Sequence, residues 1–599
     1  MCAIFGILGR YNEQQAKKAL ALLVHRGRDF CGVVQDENFF FAHQRLTITD
    51  SSCVSNQPLR YKNILLSFNG EIYNFKELKK ELNFDFKTDG DGEVIIASYL
   101  KWGVDFVKHL RGMFAIALKD GDTLYLFRDR LGKKPIFYHH SSSFIFASEI
   151  KAIVPFLKQK KLNYDALFSY MSFLAPIPPF TFFDGIKKLA SGEYLIYKDN
   201  KTEVKRYFDL LDTKSNFIVD RDEAISLLED KLKESIYLRL DTDVEIASLL
   251  SGGIDSATIN YFSSLYGKKL QTYTLGYDGY SKYDETEEAK DTAEFLGIKN
   301  KEVVITKDDF LDASDKVLDA LDEPLNDPAS VPLYLLFEEI KKDGYRVVLS
   351  GEGSDELFLG YRQYFEYLDI ETLASLKNKG WLKNYFRSNF SNKREWEHYK
   401  RIFENTTLFR TSGECFSDLQ QNNLLKRNVK DNNSLRYLKP YLERFENSKH
   451  TDKATWYSYI DLNLFQAEHF LTKLDRVSMA HSIESRTPFL DHELVSLVLS
   501  IDSKLKYKDG ITKSLLKQLM KPYLNDKILK RKKKGFSNPY MEYLVDANKL
   551  QIIIDVNNET GLFKKDELQN YIDGAKKGAF KQHIWGLYVL SVWLKENIL

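Results

Sequence analysis

The chain has 599 residues, 43% hydrophobic and 29% charged, with a formal net charge of +1. That length exceeds what one core ordinarily serves, so two or more domains are expected, and the near-neutral balance offers no whole-chain field for nucleic acid or an anionic membrane. No apolar run reaches the roughly 18–20 residues of a membrane span. The opening MCAIFGILGR has neither a basic leader nor a small-residue cleavage site, so no signal peptide is expected. Cys2, Cys31, Cys53 and Cys415 are the only cysteines and form no disulfide or zinc spacing, which fits a reducing, cytoplasmic protein.

Up to about residue 210, short segments rich in β-branched and aromatic residues predict strands: FFFAHQRLTI, NILLSFNGEIY, MFAIALKD, DTLYLFRD and SFIFASEI. Helical periodicity covers Tyr11–Leu23 and Glu93–Gly103, so a layered α+β domain is expected over 1–212. Asp222–Leu240 then reads as a helix, and VEIASLL, LQTYTLGY, KEVVI and YRVVLS read as apolar strands alternating with helices. That pattern implies a doubly wound parallel sheet within a second domain, 213–599. Beyond about 360 the chain is mostly helical. No repeat or low-complexity tract appears, and 365–450 carries no interpretable motif.

Cys2 follows the initiator methionine, and a small residue there normally permits methionine removal. The exposed α-amine, with a reference pKa of about 7.7–8.0, can then act as general base for its own thiol. A buried, inert cysteine is the blander alternative for Cys2 alone. Behind it come His25-Arg26-Gly27-Arg28-Asp29, Arg45-Leu46-Thr47-Ile48-Thr49-Asp50, Asn69-Gly70-Glu71-Ile72-Tyr73-Asn74 and Asp89-Gly90-Asp91-Gly92-Glu93. This ordered set resembles the class II glutamine amidotransferases, the N-terminal-nucleophile (Ntn) glutaminases. The resemblance implies that Arg45 pairs with the glutamine α-carboxylate and Asp91 with its α-ammonium. Leu46, Thr47, Ile48, Thr49 and Glu71 complete the binding set. Asn69 and the Gly70 amide would form the oxyanion hole. Arg28 departs from the proline common in the family.

Leu249-Leu250-Ser251-Gly252-Gly253-Ile254-Asp255-Ser256 lies between a predicted strand and a helix, where glycine amides and a helix N-terminus converge on an anion. It lacks the lysine of a Walker A loop. Asp255 inside such a cradle would repel phosphate without an intervening cation, which argues for Mg²⁺. A second loop, Ser350-Gly351-Glu352-Gly353-Ser354-Asp355-Glu356-Leu357-Phe358-Leu359-Gly360-Tyr361, also ends a predicted strand, so both loops belong to one carboxyl edge. The pair resembles the ATP-pyrophosphatase synthetases, and behind a Cys2 glutaminase it resembles the glutamine-hydrolysing asparagine synthetase family.

That resemblance implies that Asp255 and Asp355 share Mg²⁺ on the pyrophosphate and that Glu352 is general base toward ammonia. Leu249, Ser251, Gly252, Gly253, Ser256, Leu275, Ser350 and Gly351 would hold ATP. Leu359 stands where a glycine is usual. Leu474–Ala480, Glu484–Asp491 and Lys513 also match the family, and within Lys530–Lys534 the position of Lys533 corresponds to a lysine that steadies the α-phosphate. Read alone, KRKKK is a solvated basic face. The implied chemistry is ammonia release from glutamine, adenylation of a carboxylate by ATP, and passage of ammonia between the two sites through an internal tunnel. Aspartate is the expected acceptor, although Pro328 stands where some members have arginine before Ala329-Ser330. A uronic acid is the alternative. A silent glutamine sensor would be expected to lack Cys2, Asn69, Asp255 or Asp355, and all four are present. A homodimer is one assembly compatible with the sequence.

Overall fold

The computed structural model describes residues 2–212, 217–375, 379–390, 394–404, 406–427, 434–507, 510–531 and 537–599. Twelve strands are described in the N-terminal part: β1 (Ala3–Leu8), β2 (Phe30–Gln35), β3 (Phe39–Arg45), β4 (Leu59–Tyr61), β5 (Ile64–Ile72), β6 (Gly112–Asp120), β7 (Thr123–Arg128), β8 (Phe137–His140), β9 (Phe144–Ala147), β10 (Ile186–Lys188), β11 (Glu193–Lys198) and β12 (Lys201–Arg206). They form two six-stranded antiparallel sheets, ordered β10-β8-β9-β1-β3-β2 and β12-β11-β7-β6-β5-β4.

Alternation along β5 shows how the layers are built. Leu65 joins Ile4, Phe41, Ala115 and Phe146 between the sheets, while Ile64, Leu66 and Phe68 face outward onto helices Phe75–Glu81 and Gly92–Trp102. On the outer face of the other sheet, Phe5, Ile7 and Phe40 belong to the large core that also takes in the buried faces of helices Glu13–Ala21 and Tyr164–Phe173. This is the layered α+β arrangement that the strand pattern predicts, and it agrees with the Ntn-type layering that the resemblance implies. β1 itself was not among the predicted strands. All six of its residues are buried, so AIFGIL shows no period-2 alternation.

After helix Arg221–Leu240, whose N-cap Asp220 accepts from the Glu223 N–H at 2.8 Å, the chain builds a parallel sheet. Its strands are β13 (Ile246–Leu249), β14 (Gln271–Tyr277), β15 (Asn300–Ile305), β16 (Val347–Leu349) and β17 (Glu484–Arg486), ordered β15-β14-β13-β16-β17. The order runs outward from β13 to β15 and then returns to place β16 on the other side of β13. The crevice between β13 and β16 is therefore the topological switch point of a doubly wound fold. β17 comes from the stretch read as mostly helical. Its Glu-Ser-Arg is fully buried because Arg486 pairs with Glu484 at 2.7 Å and donates to the Arg239 and Asp241 carbonyls.

Among the described residues, the rest of the chain after 360 is mostly helical, as expected. Helix Lys453–Ile460 continues through a π-helical segment, Asp461–Phe470, into helix Leu471–Met479. This continuous rod carries Glu468, Asp475 and Arg476 to the N-terminal sheets. Glu468 meets Arg128 at 2.9 Å and Lys188 at 3.1 Å, and Arg476 meets Glu149 at 3.1 Å. Arg26, with 0% exposure, spans Glu149 at 2.8 Å and Asp475 at 2.8 Å and donates from Nε to the Cys2 carbonyl at 3.2 Å. The C-terminal helix Lys581–Asn597 adds Trp593, which packs on Phe182 and Phe183. No helix among the described residues is long and apolar enough to cross a membrane.

Removing one partner of a buried ion network strands the remaining charges, at a cost of about 3–5 kcal/mol. Arg26→Met leaves Glu149 and Asp475 short of a counter-charge, and a clear fall in the denaturation midpoint, followed by tryptophan fluorescence, is the expected result.

Candidate active sites

Cys2 sits at the head of β1, 8% exposed. Its backbone nitrogen donates to Asn69 Oδ1 at 3.0 Å, and its Sγ lies 4.0 Å from the Leu46 carbonyl. Asn69 and Gly70 lie on β5 opposite Ala115 and Phe114 of β6. Asn69 is fully buried, and its Nδ2 donor has no partner among the described residues. An orphaned buried amide donor next to a thiol is what an oxyanion hole requires before its substrate arrives. A side chain at position 70 would put its Cβ 2.0 Å from the Met113 carbonyl oxygen, so the backbone fits there only as glycine. Burial pushes the Cys2 thiol above its ordinary pKa, so the thiolate needs a base to form.

The pocket in front of Cys2 is walled by Arg45, Leu46, Ile48, Thr49, Gly70, Glu71, Asp91 and Glu484. Arg45 donates to the Ser52 carbonyl at 2.9 Å, to Asn56 Oδ1 at 2.6 Å and to the Asp50 carbonyl. Its charge is thereby held against the pocket wall by the 50–56 turn. Asp91 accepts from the Ile72 N–H at 2.8 Å, and Glu71 accepts from the Thr49 hydroxyl at 2.9 Å. Burial raises both carboxyls above their ordinary range. In Glu71 it outweighs the attraction of Arg486, 3.5 Å away, and in Asp91 it outweighs the Ile72 hydrogen bond. Thr47 lies on the same loop, tied away from the pocket through its backbone. Glu484 and Arg486 come from β17, so the second half of the chain supplies part of this wall. Both lie in the ESRTPFLD stretch, where local sequence gives no sign of a neighbour more than 400 residues away.

The other expected loops meet at the switch point. Gly252 turns with φ +70°, Gly253 caps helix Ile254–Leu265, and no side chain caps that helix, which leaves first-turn N–H groups for an anion. Ser256 Oγ accepts from the Ser251 N–H at 3.2 Å and donates to the Gly253 carbonyl, closing the turn. Ser350, at the end of β16, donates its N–H to the Arg486 carbonyl at 2.9 Å. Gly351 follows so close to Asp255 that a Cβ would lie 3.3 Å from the Asp255 Cβ, and Glu352 is half-buried in the same turn. Leu249 ends β13, and Leu275 lies on the neighbouring β14, at the same edge. Leu359, the departure from glycine, adopts φ +54°, the left-handed region where glycine costs least.

Lys513 occupies the centre. Its Nζ lies 2.5 Å from Asp255 Oδ2 and 2.8 Å from Asp355 Oδ1, while the Ser354 hydroxyl donates to Asp255 Oδ1 at 2.7 Å. Sequence matching singled out Lys513 without giving it a role. Arg531, read only as part of a basic run, donates to the carbonyls of Gly252 and Glu288 at 2.8 and 2.7 Å and pairs with Asp291. It clamps the glycine loop onto helix Thr286–Leu296. Lys533 lies outside the described residues. No group of three or more histidine, cysteine or acidic side chains forms a metal cage among the described residues.

A buried cysteine beside an orphaned amide on stacked antiparallel sheets, joined to glycine loops at the switch point of a parallel sheet, is the layout of a glutamine amidotransferase coupled to a synthase. Residues 1–208 match the glutamine amidotransferase domain family and residues 227–595 the asparagine synthase family. The chain belongs to the asparagine synthase family. It is 31% identical to asparagine synthetase [glutamine-hydrolyzing] 1 of Bacillus subtilis over 628 residues, covering 100% of this chain and 97% of that relative. It is 30% identical to asparagine synthetase [glutamine-hydrolyzing] 3 of the same organism, over 88% of this chain and 84% of the relative. Amidase chry2 of Gibberella zeae is 28% identical, over 88% of this chain and 85% of its own.

Gly70→Ala forces β5 and β6 apart beside Cys2. Overpacking of this kind costs about 1–3 kcal/mol, so the expected outcome is a lowered unfolding midpoint together with loss of glutamate production from glutamine.

Proposed function

We propose that this protein is a glutamine-dependent asparagine synthetase, dividing near residue 212 into a glutaminase and an ATP-dependent ligase. The observation that carries the reading is the pairing, in one chain, of Cys2 beside the orphaned Asn69 amide with two carboxylates converging on one cationic point between glycine loops.

In the glutaminase half, removal of Met1 turns the Cys2 nitrogen into an α-amine held by Asn69 Oδ1. That amine takes the thiol proton, and the sulfur attacks the glutamine carboxamide carbon. Asn69 Nδ2 and the Gly70 N–H receive the developing oxyanion, ammonia leaves with the proton, and water hydrolyses the thioester to glutamate. Asp91 and Arg45 hold the ammonium and carboxylate of glutamine, and Leu46–Thr49 and Glu71 shape the remainder.

In the ligase half, the loops Ser251–Ser256 and Ser350–Gly351 hold ATP, with Leu249 and Leu275 beside the adenine. A carboxylate oxygen of aspartate attacks the α-phosphorus, and pyrophosphate departs toward the helix N-terminus, with Lys513 opposite it. Glu352 takes a proton from ammonia as the acyl-adenylate is converted to asparagine and AMP, and Lys533 is assigned to the α-phosphate. Asp255 and Asp355 fit Mg²⁺, because both face a single point; the Lys513 ammonium that holds this point would give way to the metal, and phosphate and water would complete its ligands. Bound there, Mg²⁺ supplies charge neutralisation for the pyrophosphate.

The test is product identification with glutamine, Mg-ATP and either aspartate or a uronic acid. Asparagine, AMP and pyrophosphate are expected from aspartate alone, and amidation of the uronic acid instead would overturn the reading. In the same assay, Cys2→Ala abolishes glutamate formation and glutamine-dependent synthesis but keeps ammonia-dependent synthesis. Asp255→Asn lowers pyrophosphate release by roughly 10²-fold and keeps glutamate formation.

The raised Asp91 carboxyl sets a pH dependence. Its charged form binds the glutamine ammonium, and its pKa is displaced upward, so the charge is lost on acidification earlier than for an ordinary carboxylate near pH ~4. KM for glutamine, measured from glutamate production between mildly acidic and neutral pH, is expected to rise as pH falls while still above that ordinary range. Asp91→Asn is expected to give a high KM without this acid limb.

A further inference from the structure

The loop that carries Arg45 to Asp50 is pinned from outside its own domain. Asp29 Oδ2 accepts the Thr47 N–H at 2.7 Å, Arg346 Nη1 pairs with that same Oδ2 at 2.7 Å, and Arg346 Nη1 also donates to the Thr47 carbonyl at 3.1 Å. Both backbone groups of Thr47 are thus satisfied by one ion pair that crosses the domain boundary. Beyond it, the Ile48 carbonyl accepts from the Thr242 hydroxyl and the Asp243 N–H, both at 3.3 Å, and the Asp50 N–H donates to Asp243 Oδ2 at 2.9 Å.

These outside residues share one location. Thr242 and Asp243 lie just ahead of β13, and Arg346 immediately precedes β16. The Arg346 carbonyl also accepts the N–H of Glu484, at 2.8 Å, and Glu484 lines the glutamine pocket itself. The amino-terminal edge of the parallel sheet therefore grips the glutamine loop, while its carboxyl edge carries the SGGIDS and SGEGSDE loops.

We infer that Arg346 is a positioning residue for glutamine hydrolysis, contributed by the synthetase half. By closing the circuit with Asp29 and Thr47 it fixes the loop on which Arg45 and Leu46 stand. The inference rests on the glutaminase reading given above and names a residue that this reading does not use. Arg346 and Asp29 do not reach the thiol, so their effect falls on the seating of glutamine rather than on bond breaking.

The experiment compares Arg346→Gln, Arg346→Lys, Asp29→Asn and the double variant Arg346→Gln/Asp29→Asn. Glutamate production is measured against glutamine concentration, and ammonia-dependent pyrophosphate release is measured on the same samples. Arg346→Gln is expected to raise KM for glutamine roughly 10-fold, the scale of a lost charged hydrogen bond, with a smaller change in kcat. Pyrophosphate release with ammonia stays within about 2-fold of the parent, Arg346→Lys recovers most of the KM, and the double variant is little worse than either single one because both break one circuit. A parental KM in Arg346→Gln, additive single effects, or an equal loss of ammonia-dependent synthesis would each overturn the inference. Cys2→Ala separates the two ideas: glutamate production that survives it defeats the glutaminase reading itself.

Discussion

Arg26 has no exposed surface, and its charge is balanced by Glu149 from the glutaminase half and Asp475 from the long helical rod of the synthetase half. An ion this deep is tolerated only when every partner is in place. Glu149 is itself shared with Arg476, and Asp475 lies 3.6 Å from the Lys134 ammonium, so the network closes only when the two halves are docked. The same guanidinium donates to the Cys2 carbonyl, which ties the position of the proposed nucleophile to that docking. One apolar core runs without a break from Phe5 and Phe40 through Leu474 and Val477 to Val347 and Leu349, so buried apolar side chains cross the domain boundary.

This docking brings the two chemistries to opposite edges of one sheet. Doubly wound folds bind ligands at the carboxyl ends of their strands, and here the loops after β13 and β16 follow that rule. The amino-terminal ends, usually only structural, are used here as well, because they abut the Cys2 pocket and lend it Glu484. Lys513 and Arg531 then reach the nucleotide loops from the helical region, one between two aspartates and the other behind the glycine turn.

Sequence reveals those parts of this arrangement that depend on local chemistry. Glycines with a carboxylate and serines after an apolar strand mark a turn fit to face an anion, and Cys2 followed by the Asn69-Gly70 pair marks the proposed nucleophile and oxyanion donors. β5 and β6 are buried on both faces as β1 is, and were legible from nine residues each of largely aliphatic and aromatic sequence, whereas β1 offers only six. β17 failed for a different reason. Three polar residues fall in a stretch whose pattern reads as mostly helical, and only the pairing of Glu484 with Arg486 and the carbonyls of Arg239 and Asp241 makes their burial possible. Lys513 was visible as a residue but not as a bridge, since its partners lie about 160 and 260 residues away in the chain.

The stretch from Arg346 to Ser350 is a ruler. One end holds the loop proposed to seat glutamine, the other begins a loop proposed to hold the nucleotide, and the strand between them spans roughly 3.3 Å per residue. A residue gained or lost there would change the span and also turn every following side chain to the opposite face of the sheet. Surface connections elsewhere can lengthen at an entropic cost that grows only with the logarithm of their size. This segment has no such freedom. Its length is a fixed dimension of the enzyme, and both proposed active sites are built to it.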